Sequence, residues 1–142
     1  MPVDFDMIEA RAACHCGAVR LHLRFTDGLH SARRCDCSLC RMRGAVAVSV
    51  PLDGLTVLSG RDALSLYQFG SHVAEHYFCR HCGIYTHHRR RSNPNEYGVN
   101  AACIEGVSPF DFASVEVLNG RSHPNDGGGG GVVGTLHYRP AE

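Results

Sequence analysis

The sequence predicts a mainly β, single-domain protein with short helical turns. Short apolar and β-branched stretches recur along the chain, most of them bounded by Gly, Pro or Ser, whereas long helical patterns are few. With 142 residues, the chain has the size of one domain with its own core. Because the chain contains no repeat, we expect one domain over residues 1–142, with its core at about residues 12–123.

The individual elements follow from local patterns. Apolar and polar side chains alternate from Val19 to Phe25, which is the period of a half-buried strand. Ser38 to Arg43 is expected to form one helical turn that Gly44 closes. Residues 1–12 are expected to be a loose lead-in, and residues 125–131, with five consecutive glycines, a flexible loop. Further strands are predicted over residues 33–35, 45–50, 55–58, 64–69, 76–78, 84–88, 97–100, 113–118 and 132–138.

Composition argues against two classes of function. The formal net charge is zero and the pI is about 7.1, which disfavours a general nucleic-acid binder. All 14 basic side chains counted as Lys or Arg are Arg, so a lysine Schiff base is excluded. Arginine also binds a carboxylate better than lysine does, because its guanidinium group can form a bidentate contact.

The eight cysteines allow either a secreted disulfide framework or an intracellular metal protein. The first 13 residues contain three acidic side chains and lack a basic start followed by a long apolar run, so we do not expect a signal peptide. No run reaches membrane-spanning length, so we expect no membrane partner. We therefore predict a cytoplasmic protein whose thiols bind metal.

The central motif places Cys35, Cys37 and Cys40 within six residues. Three thiolates can hold one zinc ion at about 2.3 Å each and leave its fourth position open, as in reactive zinc sites. We predict that these three cysteines are the catalytic residues. The alternative is a second structural site in which Cys103 is the fourth ligand; otherwise Cys103 is a small core residue.

Two further cysteine pairs predict a closed structural zinc site. Cys14 and Cys16 precede Gly17, and Cys79 and Cys82 precede Gly83. Together they supply the four sulfurs that structural zinc prefers. Other partitions, in which the central three cysteines combine with one of the pairs, stay open. We expect two zinc ions, one structural and one exchangeable.

Three patterns suggest other chemistry and are set aside. His72 to His76 matches a metalloprotease motif that requires a helix, but the segment lies between a turn and a β-like stretch. Cys79 to Cys82 has the spacing of a redox motif but lacks a βαβ context. His81, His87 and His88 are expected to be solvated, with the last two on opposite faces of a strand.

The order of these motifs resembles the glutathione-dependent formaldehyde-activating family, which shares its domain with centromere protein V. The matching segments are Cys14–Arg20, Cys35–Ala45, Phe78–Gly83, Val99-Asn100 with Cys103, and a late glycine–arginine turn at residues 119–123. The resemblance implies a β-rich fold of the Mss4-like type. It implies a structural zinc on Cys14, Cys16, Cys79 and Cys82 and an exchangeable zinc on Cys35, Cys37 and Cys40. Asp36 departs from the family, where His or Asn is more common.

The resemblance also implies carbon–sulfur bond formation and cleavage. In the named member, a glutathione thiol adds to formaldehyde to give S-hydroxymethylglutathione. We predict a zinc-dependent carbon–sulfur lyase or synthase acting on a small-molecule thiol and a small aldehyde. Arg41 or Arg43 would orient a substrate carboxylate. The alternatives are a non-catalytic zinc module that binds a protein or nucleic acid, and a zinc or thiol store.

Overall fold

The structure is a computed structural model that describes residues 2–121 and 131–142. Within these residues, strands dominate and the one α-helix, α1, is short, Ser38–Arg43. The mainly β class with short helical turns is confirmed. The strands are β1 Glu9–Ala13, β2 Arg20–Arg24, β3 Arg33–Cys35, β4 Ala47–Pro51, β5 Leu55–Ser59, β6 Leu64–Tyr67, β7 Glu75–Cys79, β8 Tyr85–Arg89, β9 Glu96–Asn100, β10 Ser114–Leu118 and β11 Val132–His137. Single 3₁₀ turns lie at Leu52–Gly54, Arg61–Ala63, Ala101–Cys103 and Pro109–Asp111.

The strands form two sheets. The smaller one has the order β1-β2-β5, and the larger one has the order β11-β10-β3-β4-β9-β8-β7-β6. Every neighbouring pair is antiparallel except β3 and β10, which run parallel. This pairing brings β3, which leads into the central cysteines, beside β10 on one side and β4 on the other.

The apolar core forms from the inner faces of both sheets. In β2, Leu21 and Leu23 are fully buried while Arg20 and Arg24 are exposed, as the alternating pattern predicts. The central strand β4 is buried along nearly its whole length, as expected for an apolar run in the middle of a sheet. Side chains of β2, β4 and β9 belong to one contiguous cluster, so the two sheets share a core.

One sequence-based expectation needs correction, and another concerns residues that the structure does not describe. Residues 1–12 are not a loose lead-in throughout, because β1 pairs with β2 along its full length. The small and polar side chains of β1 lack the alternation of apolar and polar residues that predicts a strand, and only Ala12 is buried. The segment is a strand because it pairs with β2. The predicted glycine-rich loop lies outside the described residues except for Gly131. The domain bounds stay a prediction.

The helix begins and ends as the sequence predicts. Cys37 is its N-cap, and its sulfur accepts a hydrogen bond from the N–H of Cys40. Gly44 follows with a φ of 70°, and its N–H donates to the carbonyl of Cys40. These caps fix the short turn of chain that carries two of the three central cysteines.

None of the helices in the described part of the chain has the length and apolarity that crossing a membrane requires.

Candidate metal centres and active site

Four cysteines from two distant parts of the chain meet at one point. Cys14 and Cys16 lie on the turn between β1 and β2, whereas Cys79 ends β7 and Cys82 lies on the turn before β8. Their sulfurs all lie within 4.8 Å of one another. The Cys14–Cys16 and Cys16–Cys79 sulfur separations are both 3.7 Å. A tetrahedral zinc ion with bonds of about 2.3 Å has sulfur–sulfur edges of about 3.8 Å, so the donor set fits zinc.

The two halves of this cluster have the same backbone shape. Gly17 has a φ of 79° and donates its N–H to the carbonyl of Cys14, while Gly83 has a φ of 77° and donates to the carbonyl of Cys79. Only glycine adopts this left-handed conformation without strain. Because one half belongs to the small sheet and the other to the large sheet, a metal bound here would join the two sheets.

The three central cysteines also come together. Cys35 ends β3, Cys37 caps α1 and Cys40 lies in its first turn, and the three sulfurs lie within 4.8 Å of one another. The N–H of Cys37 donates to the sulfur of Cys35 at 3.4 Å, and the N–H of Cys40 to the sulfur of Cys37 at 3.3 Å. Such donors stabilise thiolates, the form of cysteine that binds metal. Contacts from the Cys35 and Cys40 thiols lower the pKa of Cys37.

All eight cysteines are free of disulfides, and Cys103 joins neither cluster. Cys103 is buried in the core, and its sulfur lies 3.5 Å from the carbonyl oxygen of Tyr85. Within the described part of the chain, no fourth histidine, cysteine or carboxylate joins the three central sulfurs. Each cluster could therefore bind a metal ion, one with four protein sulfurs and one with three.

Asp36 fixes a loop against the central cysteines. Its Oδ1 accepts from the N–H of Gly120 at 2.7 Å and from the N–H of Arg121 at 3.2 Å. Gly120 is so close that a Cβ atom there would lie 2.3 Å from the sulfur of Cys35. Asp36, where the family more often has His or Asn, therefore hydrogen-bonds to the late glycine–arginine turn. These two features are far apart in the sequence and in contact in the structure.

A cavity of about 570 Å³ opens beside the three central cysteines. Six arginines line it, and the described lining residues include no Asp or Glu. These arginines come from β3, α1 and the loops after β8 and β10: Arg33, Arg41, Arg43, Arg90, Arg91 and Arg121. Two of them form ion pairs with carboxylates outside the lining, Arg90 with Glu96 and Arg121 with Asp36. Arg33, Arg41 and Arg43 still leave the described lining with an excess of positive charge, although the whole chain has a formal net charge of zero.

Arg33 is a half-buried arginine of the cavity lining. Its Nη1 donates to Ser49 Oγ at 2.8 Å and to the carbonyl of Ser31 at 3.1 Å. No carboxylate of the described residues forms an ion pair with it. Burial, together with the charge of Arg90, lowers the pKa of Arg33 to about 10, so it still carries its charge at neutral pH.

Arg43 is held against the wall rather than free in the cavity. Its Nη2 donates to the sulfur of Cys40 at 3.5 Å, and its Nη1 lies 3.2 Å from Nδ1 of His76. Its guanidinium carbon lies 3.6 Å from the centre of the Tyr85 ring, a cation–π contact. Of the two predicted carboxylate-binding residues, Arg43 therefore already contacts other side chains of the cavity lining, whereas Arg41 is exposed.

Two histidines of the cavity wall were missed as site residues. His76 of β7 and His88 of β8 are cross-strand partners whose rings stack at 5.3 Å. Burial, with the charge of Arg43, lowers the pKa of His76 to about 4. Only sheet pairing brings the two rings together, so no local pattern in the sequence could have identified them.

The other histidine predictions have mixed outcomes. His72 has a φ of 59° in a turn, so the segment from His72 to His76 lacks the helix that the protease motif needs. His81 is exposed, as expected. The expectation that His87 is solvated is wrong, because it is 3% exposed and stacks on Tyr77 at 4.8 Å. His88 is also largely enclosed, because β9 places Gly98 directly against its ring.

Comparison with known proteins now identifies the family. A family model described as glutathione-dependent formaldehyde-activating enzyme matches residues 9–115, well over half of the chain. The chain belongs to this family. It is also similar to a crystal structure of a Rhodobacter sphaeroides protein, with 55% sequence identity and a TM-score of 0.74 over 75% of this chain and 98% of that one. The family resemblance of the cysteine motifs is confirmed, whereas the Mss4-like assignment stays a prediction.

Zinc stoichiometry tests the two clusters of this family member. We expect two zinc ions in the wild type, one in Cys37→Ser with the fold intact, and loss of the fold in Cys79→Ser, because of the two clusters only the four-cysteine one takes sulfurs from both sheets. Elemental analysis with circular dichroism measures both quantities. Unfolding of Cys37→Ser would contradict a separate role for the central cysteines.

A substitution at Gly120 tests the loop that Asp36 holds. In Gly120→Ala the new methyl group would collide with the sulfur of Cys35 and the backbone nitrogen of Cys37. We therefore expect the central cluster to lose its metal at least tenfold more readily to a chelator. Gly134→Ala is the matched control, because a Cβ atom there meets nothing within 4 Å. Equal zinc release from the two variants would show that the loop does not constrain the cluster.

Proposed function

We propose that this protein catalyses the reversible, zinc-dependent addition of an anionic thiol, glutathione or a similar one, to a small aldehyde such as formaldehyde. The reaction forms or breaks one carbon–sulfur bond. The observation that carries this proposal is that the three central sulfurs open onto a cavity lined by arginines. The family description names both glutathione and formaldehyde and supports the same substrates.

The two cysteine clusters would have different tasks. Cys14, Cys16, Cys79 and Cys82 would hold a structural zinc, and Cys35, Cys37 and Cys40 an exchangeable one. Zinc bound to the three central sulfurs would supply a Lewis acid that keeps an incoming thiol deprotonated at neutral pH. Asp36 would position the loop at Gly120 so that this wall of the cavity stays closed while the arginine side stays open.

The arginines fit a carboxylate-bearing thiol. Glutathione carries two carboxylates, which pair best with guanidinium groups in two-pronged contacts. Arg33 has no carboxylate partner among the described residues, and Arg41 is exposed at the cavity. Arg121 lies 3.6 Å from Asp36 and is therefore partly neutralised. We assign Arg33 and Arg41 to the substrate and Arg43 to the wall.

Formaldehyde adds to thiols without a catalyst, so the protein must gain rate from positioning and charge stabilisation. A thiol held by its carboxylates presents its sulfur to the central cluster at high effective concentration. Donors on the cavity wall can then stabilise the negative charge that develops on the aldehyde oxygen.

Exchange NMR spectroscopy on glutathione and formaldehyde tests the proposed reaction. We expect the zinc-loaded protein to accelerate exchange between free glutathione and its hydroxymethyl adduct, and Cys37→Ser to abolish the acceleration. Cys103→Ala is the control, since this cysteine lies outside both clusters. No acceleration by a wild type that contains two zinc ions would refute the proposal.

Removal of the Arg33 charge tests the carboxylate contact. In Arg33→Gln we expect the glutathione concentration at half-maximal rate to rise about tenfold, because a charge-assisted hydrogen bond contributes roughly 1.5–3 kcal/mol. Arg61→Gln removes the same charge from an exposed site outside the cavity and should leave this concentration unchanged. Equal effects in the two variants would indicate a general charge effect instead of a specific contact.

A further inference from the structure

His76 lines the cavity, and the guanidinium group of Arg43 bridges it to Cys40, one of the three central cysteines. Nη1 of Arg43 contacts Nδ1 of His76 at 3.2 Å, while Nη2 of the same group donates to the sulfur of Cys40 at 3.5 Å. The plane of Arg43 is fixed by its contact with the Tyr85 ring. The imidazole of His76 is therefore held at a set position relative to the sulfurs.

Arg43 determines which nitrogen of His76 carries the proton. A guanidinium group has only donors, so Nδ1 of His76 must accept the hydrogen bond. A neutral imidazole with an accepting Nδ1 carries its proton on Nε2. Among the described residues, the one buried side-chain nitrogen or oxygen without a partner is Nε of Arg43. Nε2 of His76 is not among these atoms and His76 lines the cavity, so we assign the Nε2–H group to a guest in the cavity.

Ring stacking fixes the direction of this donor. The His76 ring packs against Phe69 at 5.8 Å and against His88 at 5.3 Å, with 23° between the planes in both pairs. His88 is itself held by a 2.6 Å hydrogen bond between its Nδ1 and the Tyr85 hydroxyl. The donor on His76 is therefore set before any substrate arrives, as efficient stabilisation of a developing charge requires.

We propose that the Nε2–H group of His76 is a catalytic hydrogen-bond donor to the aldehyde oxygen, an inference that rests on the proposed function. When the thiolate sulfur adds, its electron pair forms the carbon–sulfur bond and the carbonyl π pair moves onto oxygen. The resulting alkoxide takes a proton from water and becomes the hydroxyl of the adduct, while the thiol proton has already passed to solvent. His76 keeps its proton throughout and stabilises the charge on oxygen.

Two substitutions at His76 separate donation from packing. His76→Phe keeps a ring in the stack but removes the donor, so we expect the catalysed exchange rate to fall on the order of 100-fold with zinc content unchanged. His76→Gln places an amide N–H at a similar reach and should retain most of the rate. His22→Phe is the control, because His22 lies on β2 outside the cavity. A rate for His76→Phe within twofold of the wild type would overturn the inference.

The tautomer supplies a readout that does not depend on activity. Long-range ¹⁵N–¹H correlation spectra should show the proton of His76 on Nε2 in the wild type, and the Nδ1–H form should gain population in Arg43→Met. A wild type with the proton on Nδ1 would contradict the inference. If the wild type accelerates no exchange, the proposed function fails and the inference fails with it. If the wild type accelerates exchange and His76→Phe does so equally, the inference alone fails.

Discussion

Four sulfur atoms from the two sheets converge at one point, where a bound metal ion would constrain the relative position of the sheets. Cys14 and Cys16 extend from the small sheet, and Cys79 and Cys82 from the large one, and their sulfurs converge within 4.8 Å. The apolar core joins the same sheets, but hydrophobic contact is not directional. A tetrahedral ion is directional, and it would set the angle and register at which the sheets meet. Because Cys79 ends β7, such an ion would also constrain the strand that carries His76, three residues earlier, to the cavity wall.

The central cysteines have a different relation to the fold. They span the end of a strand, a helix cap and the first turn of the helix, so their arrangement is local and needs no second segment to bring the sulfurs together. The residues that surround these cysteines, in contrast, come from distant parts of the sequence. The backbone N–H of Asp36 donates to the carbonyl of Leu118, and its side chain holds Gly120. A parallel strand pair, β3 with β10, therefore delivers the loop that closes one side of the cluster.

Charge in this molecule is distributed unevenly. Equal numbers of acidic and basic residues give a neutral chain, yet the described lining of the cavity is basic. Net charge reports on solubility and general binding, whereas a site depends on its local field. A cavity with several guanidinium groups and no described carboxylate suits a small anion. The overall neutrality that disfavours a nucleic-acid partner is compatible with such a ligand.

By itself the sequence determined most of the strand pattern and the capped helical turn, and it favoured the grouping of seven cysteines into a set of four and a set of three that the structure brings together. Alternation, turn residues and cysteine spacing are local, and each leaves a signal within a few neighbouring positions. The strand β1, with its small and polar side chains, lacked that signal.

Only the tertiary structure decided the environment of the site. The stacking of His76 on His88, the contact of Asp36 with Gly120 and the cavity between the arginines all depend on strand order and cross-strand register. Residues that are far apart in the chain meet there, and no local pattern of side chains records which strands become neighbours.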